Sequence, residues 1–426
     1  MINSKKKGFT IVELVIVIAV VAILAAVLIP TFSSLVKKAN ISADQQAVVH
    51  MNKLLAMDEV ADPKPTKADE VVEVLIKNGY SDDLTTYYSN YQLAWLPEEN
   101  VVVLVENGSV VYPDKYVGET GFEELKPMVK DVEELLESLQ NGETVFVSED
   151  ILAEDAADFT FASGTYALNL NGNTMSTNVT DGNYGVKIKE NSNSVIENGI
   201  IEAGDKIRIA VGVWDDSTLE LKNMIITGGT TIGEKSGVGA YVYSGSTLVI
   251  TDSKIYGGNG ANTVQNYGGN LTLNNVTIVQ SGEALVSWYN SAVQIINVIV
   301  YQEDLGKWKI TSQANTTING GSYTGDKAIQ ISAPGGNVTI NDGKFTGATY
   351  ALQNDFAPQN YIDGDKYESI ITINGGTFDG DIKISAATVL IINGGTFTIN
   401  PSTIQTGNVT INGTVVDNGN GTWTVK

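Results

Sequence analysis

The longest run of apolar residues lies near the amino terminus of the chain. Every residue from Leu14 to Ile29 is apolar, and residues 9–12 lengthen the segment. As a helix, this segment would be about 31 Å long at 1.5 Å per residue, which is enough to cross a hydrocarbon core of about 30 Å. The single carboxylate within it, Glu13, needs a cationic partner in such surroundings. The pattern predicts a transmembrane α-helix.

The helical pattern continues beyond the apolar run. Apolar residues recur intermittently at helical spacing to about Glu59, so we predict one transmembrane and stalk α-helix over residues 9–60. Pro30 lies inside this helix. It is a candidate helix kink, because proline removes one helix hydrogen bond.

A small α+β head is predicted over residues 61–117. Thr66 and Asp69 have the spacing of a capping box at the start of a helix. Three short strands rich in β-branched and aromatic residues follow, and Asn107-Gly108 favours a tight hairpin because both turn positions need positive φ. The strands are predicted at Tyr91 to Leu96, Val101 to Val105 and Val110 to Tyr112.

An acidic helical connector is predicted over residues 118–143. Between Gly118 and Asn141, leucine and valine recur on one helical face among acidic residues, and Gly142 favours the end of the helix. We interpret this segment as a connector with one buried stripe. A dedicated partner-binding helix is the alternative.

A repeat fills residues 144–426. Each unit consists of a short alternating strand, a turn that often contains Asn-Gly, and a second short strand. The period averages about 24 residues, which suits one coil of a parallel β-helix, whereas a β-propeller blade needs about 40 and the leucine spacing of a leucine-rich repeat is missing. The units align at Asn171, Glu197, Lys222, Thr251, Asn274, Ile296, Asn319, Asn341, Asn374, Asn393 and Asn412.

Stacked coils bury a continuous core that no coil forms alone. Alternation along the strands predicts aliphatic and aromatic ladders inside the stack, and asparagines at equivalent turns can hydrogen-bond to one another. One gap is longer, and Thr349 to Ser369 is predicted to be a loop extruded from the stack. The predicted inward pairs are Ile318 and Tyr323, Ile340 and Phe345, Ile373 and Phe378, and Ile392 and Phe397.

The composition excludes several classes of function. A formal charge of −23 argues against binding nucleic acid or anionic lipid through general electrostatics. With no cysteine, the chain has no disulfide and no thiolate nucleophile or metal ligand. The only histidine, His50, falls in the stalk, which excludes a Ser-His-Asp triad or a histidine-based zinc site from the repeats. We expect no cofactor and no metal.

The basic run before the apolar helix carries a family resemblance. Residues 5–14, KKKGFTIVEL, resemble the prepilin signal of type IV pilins and type II secretion pseudopilins. An ordinary signal peptide would instead place its cleavage site after the apolar core, and a plain anchor is a further alternative. The resemblance implies that prepilin peptidase removes residues 1–8, a cytoplasmic leader, by cleavage between Gly8 and Phe9. It also implies N-methylation of Phe9 and pairing of Glu13 with the amino terminus of a neighbouring subunit.

The same resemblance implies partners and a location. The partners would be other pilin subunits, in a homo- or hetero-polymeric filament, and the pilus assembly machinery of the membrane. The precursor would span the cytoplasmic membrane once, and the mature protein would lie in an extracellular, cell-surface filament. The predicted head resembles the compact pilin head found in Gram-positive pilin-like proteins, whereas the disulfide of many Gram-negative pilins is absent.

The repeats, over roughly Thr144 to Thr424, resemble pectate-lyase-like right-handed parallel β-helices. Lyases on this scaffold use a calcium-binding aspartate cluster and a basic residue, and hydrolases use aspartates alone. Paired aspartates could bind calcium but are more often solvated turn residues. The lyase candidates are Arg208, Asp205, Lys206, Asp215 and Asp216, and the isolated hydrolase candidates are Asp181, Asp252 and Asp304.

Aromatic residues in the middle coils are candidates for sugar binding. Aromatic faces with Asn and Asp nearby suit a carbohydrate such as a surface glycan. The alternative is that several belong to core ladders or are ordinary exposed aromatics. The candidates are Trp214, Tyr241, Tyr243, Trp288 and Tyr289, together with Tyr256, Tyr267 and Tyr301.

From the sequence we expect a non-enzymatic subunit of a type IV pilus or pseudopilus that displays a β-helix for adhesion or surface contact. A surface-anchored polysaccharide lyase or hydrolase that uses the pilin signal for export is the alternative. A third possibility is a major filament subunit whose β-helices form a sheath.

Overall fold

The computed structural model describes most of the chain, which divides into two compact units, Met1–Met128 and Val129–Lys426. The described residues are 11–58, 64–80, 84–126, 128–139, 144–154, 159–178, 184–204, 207–229, 237–258, 263–280, 285–288, 292–302, 315–331, 337–354, 369–386, 388–404 and 408–426. Of the side chains before Phe32, only that of Ile18 is described.

The first unit begins with one long helix, α1 (Ile11–Asp58). The helix continues through Pro30, and a kink at that residue stays a prediction. Among the described residues, no helix is both long enough and apolar enough to cross a membrane. The predicted transmembrane segment, residues 9–29, lies almost entirely outside the described side chains.

The head packs a second helix and an antiparallel sheet against the later part of α1. Val48, Met51 and Leu55 of α1 are buried there. The sheet has the order β3-β2-β1-β4, with every described pairing antiparallel. The helix and the three strands predicted for the head are confirmed, and β4 is an addition. The elements are α2 (Ala68–Lys77), β1 (Gln92–Leu96), β2 (Val101–Glu106), β3 (Ser109–Tyr112) and β4 (Glu123–Glu124).

Two local features of the head test the sequence patterns. Asn107 and Gly108 both have positive φ, 52° and 77°, so the predicted tight hairpin is confirmed. The capping box predicted at Thr66 and Asp69 stays a prediction, because the Asp69 side chain is not described. Glu70 accepts hydrogen bonds from the N–H and the hydroxyl of Thr66, and these bonds lower the pKa of Glu70.

The acidic helix predicted from Gly118 to Asn141 is much shorter than expected. Only α3 (Val132–Leu139) is helical in the described part of this segment. Gly118 has a φ of 89°, and the chain then forms β4, which pairs with β1. Backbone hydrogen bonds to the sheet of the head, such as that from the Leu125 N–H to the Leu93 carbonyl, therefore replace the helix.

The second unit is a succession of short strands that pair in parallel from one coil to the next. In chain order they are β5 (Thr144–Phe146), β6 (Ile151–Glu154), β7 (Phe159–Ala162), β8 (Thr165–Asn169), β9 (Thr174–Asn178), β10 (Tyr184–Lys189), β11 (Asn193–Ala203), β12 (Ile209–Val213), β13 (Thr218–Thr227), β14 (Val238–Tyr243), β15 (Thr247–Thr251), β16 (Lys254–Tyr256), β17 (Val264–Tyr267), β18 (Asn270–Asn274), β19 (Thr277–Gln280), β20 (Leu285–Trp288), β21 (Ala292–Ile296), β22 (Val298–Gln302), β23 (Asn315–Ile331), β24 (Asn337–Asn354), β25 (Ser369–Ile373), β26 (Thr377–Lys383), β27 (Thr388–Ile392), β28 (Gly395–Phe397), β29 (Asn408–Ile411), β30 (Val415–Asp417) and β31 (Trp423–Val425).

These strands form three parallel rows. Sheet 1 has the order β5-β8-β11-β13-β15-β18-β21-β23-β24-β25-β27-β29. Sheet 2 has the order β6-β9-β11-β13-β16-β19-β22-β23-β24-β26-β28. Sheet 3 has the order β7-β10-β12-β14-β17-β20. Within each row a strand pairs in parallel with its equivalents in the neighbouring coils, an arrangement that fits a β-solenoid. Strands β30 and β31 lie outside these rows.

The register corrects the repeat alignment in one coil. Glu197 pairs with Asn169 and not with Asn171. The reason is a longer turn: Asn171 and Gly172, with φ of 52° and 83°, are extra turn residues between β8 and β9. The stack also begins one coil earlier than the aligned repeats, with β5, β6 and β7.

The predicted core ladders are confirmed. The four predicted isoleucines and their four aromatic partners are all fully buried. The rings of Tyr323, Phe345, Phe378 and Phe397 stack in that order, with centroids 4.9, 4.8 and 5.1 Å apart and interplanar angles of 17° or less. The spacing follows the separation of neighbouring strands, so each ring lies on the ring of the adjacent coil.

The end of the stack differs from the body. The loop predicted from Thr349 to Ser369 is wrong for its first part, because residues 349–354 continue strand β24 and Leu352 is buried. Residues 355–368 lie outside the described chain. At the carboxyl end, β31 pairs antiparallel with β28 and β30. Val425 of β31 is buried in the core, so this hairpin covers the last coil.

Candidate functional site

The predicted processing and assembly residues are not placed by the structure. Gly8 and Phe9 lie outside the described residues. The backbone of Glu13 lies in α1, but its side chain is not described. Their roles therefore remain predictions from the sequence.

The described surface of α1 changes character along its length. Phe32, Leu35 and Val36 are exposed, with exposed fractions of 69%, 59% and 50%. Further along, Val48 and Met51 are fully buried against the head. The segment that follows Pro30 thus presents apolar side chains that the first unit itself does not cover.

Polar side chains of α1 hold the helix to the head. The Asp44 carboxylate accepts hydrogen bonds from the backbone N–H groups of Tyr87, at 2.7 Å, and Tyr88, at 3.0 Å. The Asn52 amide accepts from the Val102 N–H at 2.7 Å and donates to the Val102 carbonyl at 2.9 Å. Asp44 is 2% exposed, so its carboxylate is buried and holds α1 against the head by these two hydrogen bonds.

Sheet 3 carries a row of aromatic side chains, which we call the aromatic row: Tyr184, Trp214, Tyr241, Tyr243 and Tyr267. The Tyr184 and Trp214 rings meet edge to face at 4.4 Å. The remaining contacts are between nearly parallel rings, with centroids 5.7 Å apart for Trp214 and Tyr241, 6.5 Å for Tyr241 and Tyr243, and 5.2 Å for Tyr243 and Tyr267. All five side chains are partly or largely exposed.

The strand pattern explains why these rings face outward. Along β14, Val238, Ala240 and Val242 are buried, and Tyr241 and Tyr243 alternate with them. Successive side chains of a strand point to opposite faces, so the two tyrosines lie on the outer face of sheet 3. The alternative that these aromatic residues belong to the core ladders is therefore wrong for both tyrosines.

Gly212 provides the seat of the Trp214 indole. A Cβ atom at residue 212 would lie 1.7 Å from Cη2 and 2.1 Å from Cζ3 of Trp214. The indole thus occupies the space that a side chain on β12 would fill. Gly212 pairs with Lys187 of β10 and with Tyr241 of β14. The indole above Gly212 therefore lies between these two side chains across the strands.

Cationic side chains lie beside the aromatic row. The Lys187 Nζ lies 5.2 Å from the Tyr184 ring centroid and 5.8 Å from that of Trp214. Burial, followed by the neighbouring phenols, raises the pKa of Tyr241 to about 12, and the charge of Arg208 opposes the rise. Arg208 is exposed immediately before β12, the strand that carries Gly212.

The other predicted aromatic residues do not all belong to this surface. Tyr256 lies on β16 of sheet 2, under the Lys254 Nζ at 4.8 Å. Trp288 pairs with Tyr267 in register, but its side chain is not described, and the same holds for the side chain of Tyr301. Tyr289 lies outside the described residues.

Sequence reasoning missed three members of the surface. Tyr184 was not among the predicted aromatic residues, and Lys187 and Gly212 were not singled out. The alternation of Lys187 and Lys189 with buried Val186 and Ile188 was a signal for an outward lysine. No sequence signal could show that the indole of Trp214 turns back over Gly212.

The candidate enzymatic residues are scattered. Asp205, Lys206, Asp181 and Asp304 lie outside the described residues. Arg208 is exposed before β12. Asp215 and Asp216 form a left-handed turn after Trp214, with φ of 53° and 56°. Within the part of the chain that is described, no group of three or more His, Cys, Asp or Glu side chains is placed to hold a metal ion.

Asp252 belongs to a ladder of turn side chains. The Asn297 amide donates to Asn275 at 3.1 Å, and Asn275 donates to the Asp252 carboxylate at 2.6 Å. Asn223 donates to Asn198 at 3.0 Å. The groove along this ladder has no second carboxylate among its described lining residues, whereas glycoside hydrolysis generally uses two.

The aligned residues of these coils pair in register, and the ladder is formed by their neighbours. The ladder residue follows the aligned residue by one position, and it has a left-handed φ between 50° and 58°. The residues concerned are Asn198, Asn223, Asp252, Asn275 and Asn297. From Asn319 onward the ladder is at the predicted position, and Asn341, Asn374, Asn393 and Asn412 each donate to the preceding member at 2.7 to 2.9 Å.

Comparison with known proteins identifies one segment. Residues 3–29 match the family model of the prokaryotic N-terminal methylation motif. No curated protein and no solved structure matches the chain. The match supports a prepilin signal of the type IV pilin kind, with processing by prepilin peptidase and assembly into a pilus-like filament.

Proposed function

We propose that this chain is a non-enzymatic subunit of a type IV pilus or pseudopilus that displays a right-handed parallel β-helix for adhesion or surface contact. The observation that carries the proposal is the methylation motif over residues 3–29. In this proposal, prepilin peptidase cleaves between Gly8 and Phe9, Phe9 is N-methylated, and Glu13 pairs with the amino terminus of a neighbouring subunit.

The surface of α1 supports the proposal. Phe32, Leu35 and Val36 are exposed apolar residues on the helix that follows the motif. Apolar side chains on one stretch of a helix are stabilised when a second apolar surface covers them. Neighbouring subunits of a filament would supply that surface. The precursor would first span the cytoplasmic membrane, and the mature subunit would be exposed at the cell surface.

The test follows processing and assembly in the source cells. Antibodies against residues 144–426 would label surface filaments by electron microscopy and would detect the chain in a sheared filament fraction. Mass spectrometry of that fraction would find Phe9 as a methylated amino terminus. A substitution at the cleavage site, Gly8→Leu, should leave the leader attached and the chain absent from filaments.

A substitution at the assembly carboxylate separates processing from assembly. Glu13→Ala should still be cleaved, because the cleavage site is intact, but should enter filaments poorly. Normal incorporation of this variant would contradict the pairing role of Glu13. Calcium-dependent release of unsaturated sugar products by the purified chain would instead favour the lyase alternative.

A further inference from the structure

We propose that the aromatic row on sheet 3 binds an anionic linear polysaccharide, which it holds by ring contacts and by the charge of Lys187. This inference rests on the proposed function, because it assigns a ligand class to the displayed β-helix. It adds Tyr184, Lys187 and Gly212 to the surface.

The shape of the surface favours a narrow ligand. From β10 to β17 the row crosses three strand spacings, a width of about 14 Å at about 4.8 Å per strand. A stable protein interface generally needs about 800 Å² from each partner, with an apolar centre. Lys187, in line with Gly212 beneath the indole, is a polar position beside the rings. A single polysaccharide chain suits a narrow strip of rings with a polar neighbour.

The chemistry of the rings fits pyranose sugars. Aromatic side chains offer an apolar face together with a polar tip, and a pyranose offers a C–H face together with hydroxyl edges. The Trp214 indole is held in place before any ligand arrives, because it fills the space above Gly212 and contacts Tyr184 and Tyr241. Little side-chain freedom is then lost on binding, which favours affinity.

The charge beside the row selects an anionic ligand. The chain has 26 lysine and arginine residues against 49 aspartate and glutamate residues, a formal charge of −23. Lys187 nevertheless lies over two rings of the row, 5.2 Å from the Tyr184 centroid and 5.8 Å from that of Trp214. The carboxylate of Asp216 lies at Gly245, two residues after Tyr243, whereas Lys187 lies over Tyr184 and Trp214. Carboxylate or sulfate groups on the ligand would therefore meet positive charge next to the rings.

Binding should be measured with two soluble polymers that share a β-1,4-glucan backbone and differ in charge. Carboxymethylcellulose is anionic, and hydroxyethylcellulose is neutral. The full chain, in a detergent without a sugar headgroup, would be run on native gels that contain either polymer, and retardation would give the affinity. Wild-type chain should be retarded by carboxymethylcellulose and only weakly by hydroxyethylcellulose, with a difference that shrinks at high salt.

Three variants and one control locate the site. Trp214→Ala and Gly212→Val should each weaken binding roughly tenfold, the first by removing the indole and the second by displacing it. Lys187→Gln should weaken binding to the anionic polymer roughly threefold and leave the neutral polymer unaffected. Tyr256→Ala, an aromatic substitution on sheet 2, should bind as wild type does. Far-UV circular dichroism checks that each variant is folded.

The outcomes separate this inference from the proposed function. Equal retardation by both polymers, no retardation by either, or binding by Trp214→Ala as strong as that of Tyr256→Ala would overturn the glycan site. A change in the oligomeric state of the chain with Trp214→Ala would also overturn it, since a second copy would then be the occupant. Filament incorporation is scored in parallel, and its absence for wild type would count against the proposed function alone.

Discussion

Asp44 shows how a single buried side chain fixes the stalk to the head. Its carboxylate accepts hydrogen bonds from two consecutive backbone N–H groups, those of Tyr87 and Tyr88. Asp44→Ala would leave both donors without this acceptor and should destabilise the contact by about 1 to 3 kcal/mol. Hydrogen exchange of peptides covering residues 84–96 measures the effect. Gln46→Ala, at an exposed position of α1, is the control, and equal exchange in the two variants would contradict the role of Asp44.

Tyr241 gives the aromatic row a pH signature. Its pKa is raised to about 12 by burial, from an ordinary value near 10. The folded state therefore binds the phenol proton more tightly than the unfolded state does. The contribution of this group to the free energy of unfolding is complete below pH 10 and is lost as the pH rises toward 12. An ultraviolet titration of wild type minus that of Tyr241→Phe isolates this phenol, and its midpoint should lie near pH 12. A difference titration with a midpoint near pH 10 would contradict the burial of this hydroxyl.

The turn ladder contains a position where a substitution should stabilise the fold. Asp252 accepts a hydrogen bond from Asn275 but, as a carboxylate, has no donor for Asn223, whose own amide donates to Asn198. Asp252→Asn supplies that donor and should raise stability by about 0.5 to 1 kcal/mol. Asn275→Asp is the matched opposite, because it removes a donor and places two carboxylates side by side. Thermal unfolding compares them, and a lower melting temperature for Asp252→Asn would refute the ladder interpretation.

Single residues also mark the limit of sequence reasoning. The left-handed residues Asn198, Asn223 and Asn275 each follow an aligned repeat position, so the sequence contained the signal for the ladder. By contrast, the seat of Trp214 over Gly212 depends on how a side chain turns back along its own strand. Periodicity predicts which face a residue lies on, and it does not predict the rotamer that brings two neighbours together.

At the scale of elements, the aromatic ladder is the main test of the stacked core. Phe345 lies between the rings of Tyr323 and Phe378 and is fully buried. Phe345→Ala should therefore destabilise the second unit by about 3 to 5 kcal/mol, since it creates a cavity in the core. Differential scanning calorimetry measures the loss. Tyr323→Phe is the comparison, because it keeps the ring and removes only the hydroxyl bond to the Gly320 carbonyl, at a cost of about 1 kcal/mol.

Elements with strong local signals could be predicted, and those held by distant partners could not. The repeats that contain Ile340 and Phe345 alternate strictly, and their inward positions are confirmed. The acidic stretch before α3 has a helical spacing of leucines, but Leu125 hydrogen-bonds to β1 and the chain there forms β4. Pairing with a strand that lies about 30 residues earlier overrides the local helical pattern, and a sequence window does not contain that partner.

At the scale of the whole chain, the last hairpin controls how the stack ends. Strands β30 and β31 turn antiparallel across β28, and Val425 enters the core. A chain that stops at Thr414 would expose the edge of β28 and the ring of Phe397, and open strand edges template association. We expect this truncated chain to form higher oligomers, measured by light scattering after size-exclusion chromatography. A truncated chain with the same oligomeric state as the full chain would contradict the capping role.

The two compact units were visible in the sequence to different degrees. The period of the repeats predicts the second unit, and the hairpin signal at Asn107 indicates the sheet of the first unit. The boundary between the two units along the chain, between Met128 and Val129, has no sequence signal. It arises because Leu125 pairs with the earlier strand β1, whereas Val129 pairs with the later residue Val147. The boundary is a property of long-range pairing and not of composition.

The hydrogen bonds of the turn ladder all run in one direction. Asn341 donates to Asn319, Asn374 to Asn341, and Asn412 to Asn393, so each described donor reaches back to an earlier coil. A chain that crosses the membrane progressively could therefore fold in order of emergence, because every new coil finds its acceptor already in place. The newest coil would present the open strand edges during export, and the final hairpin would cover the edge of β28 when translocation ends.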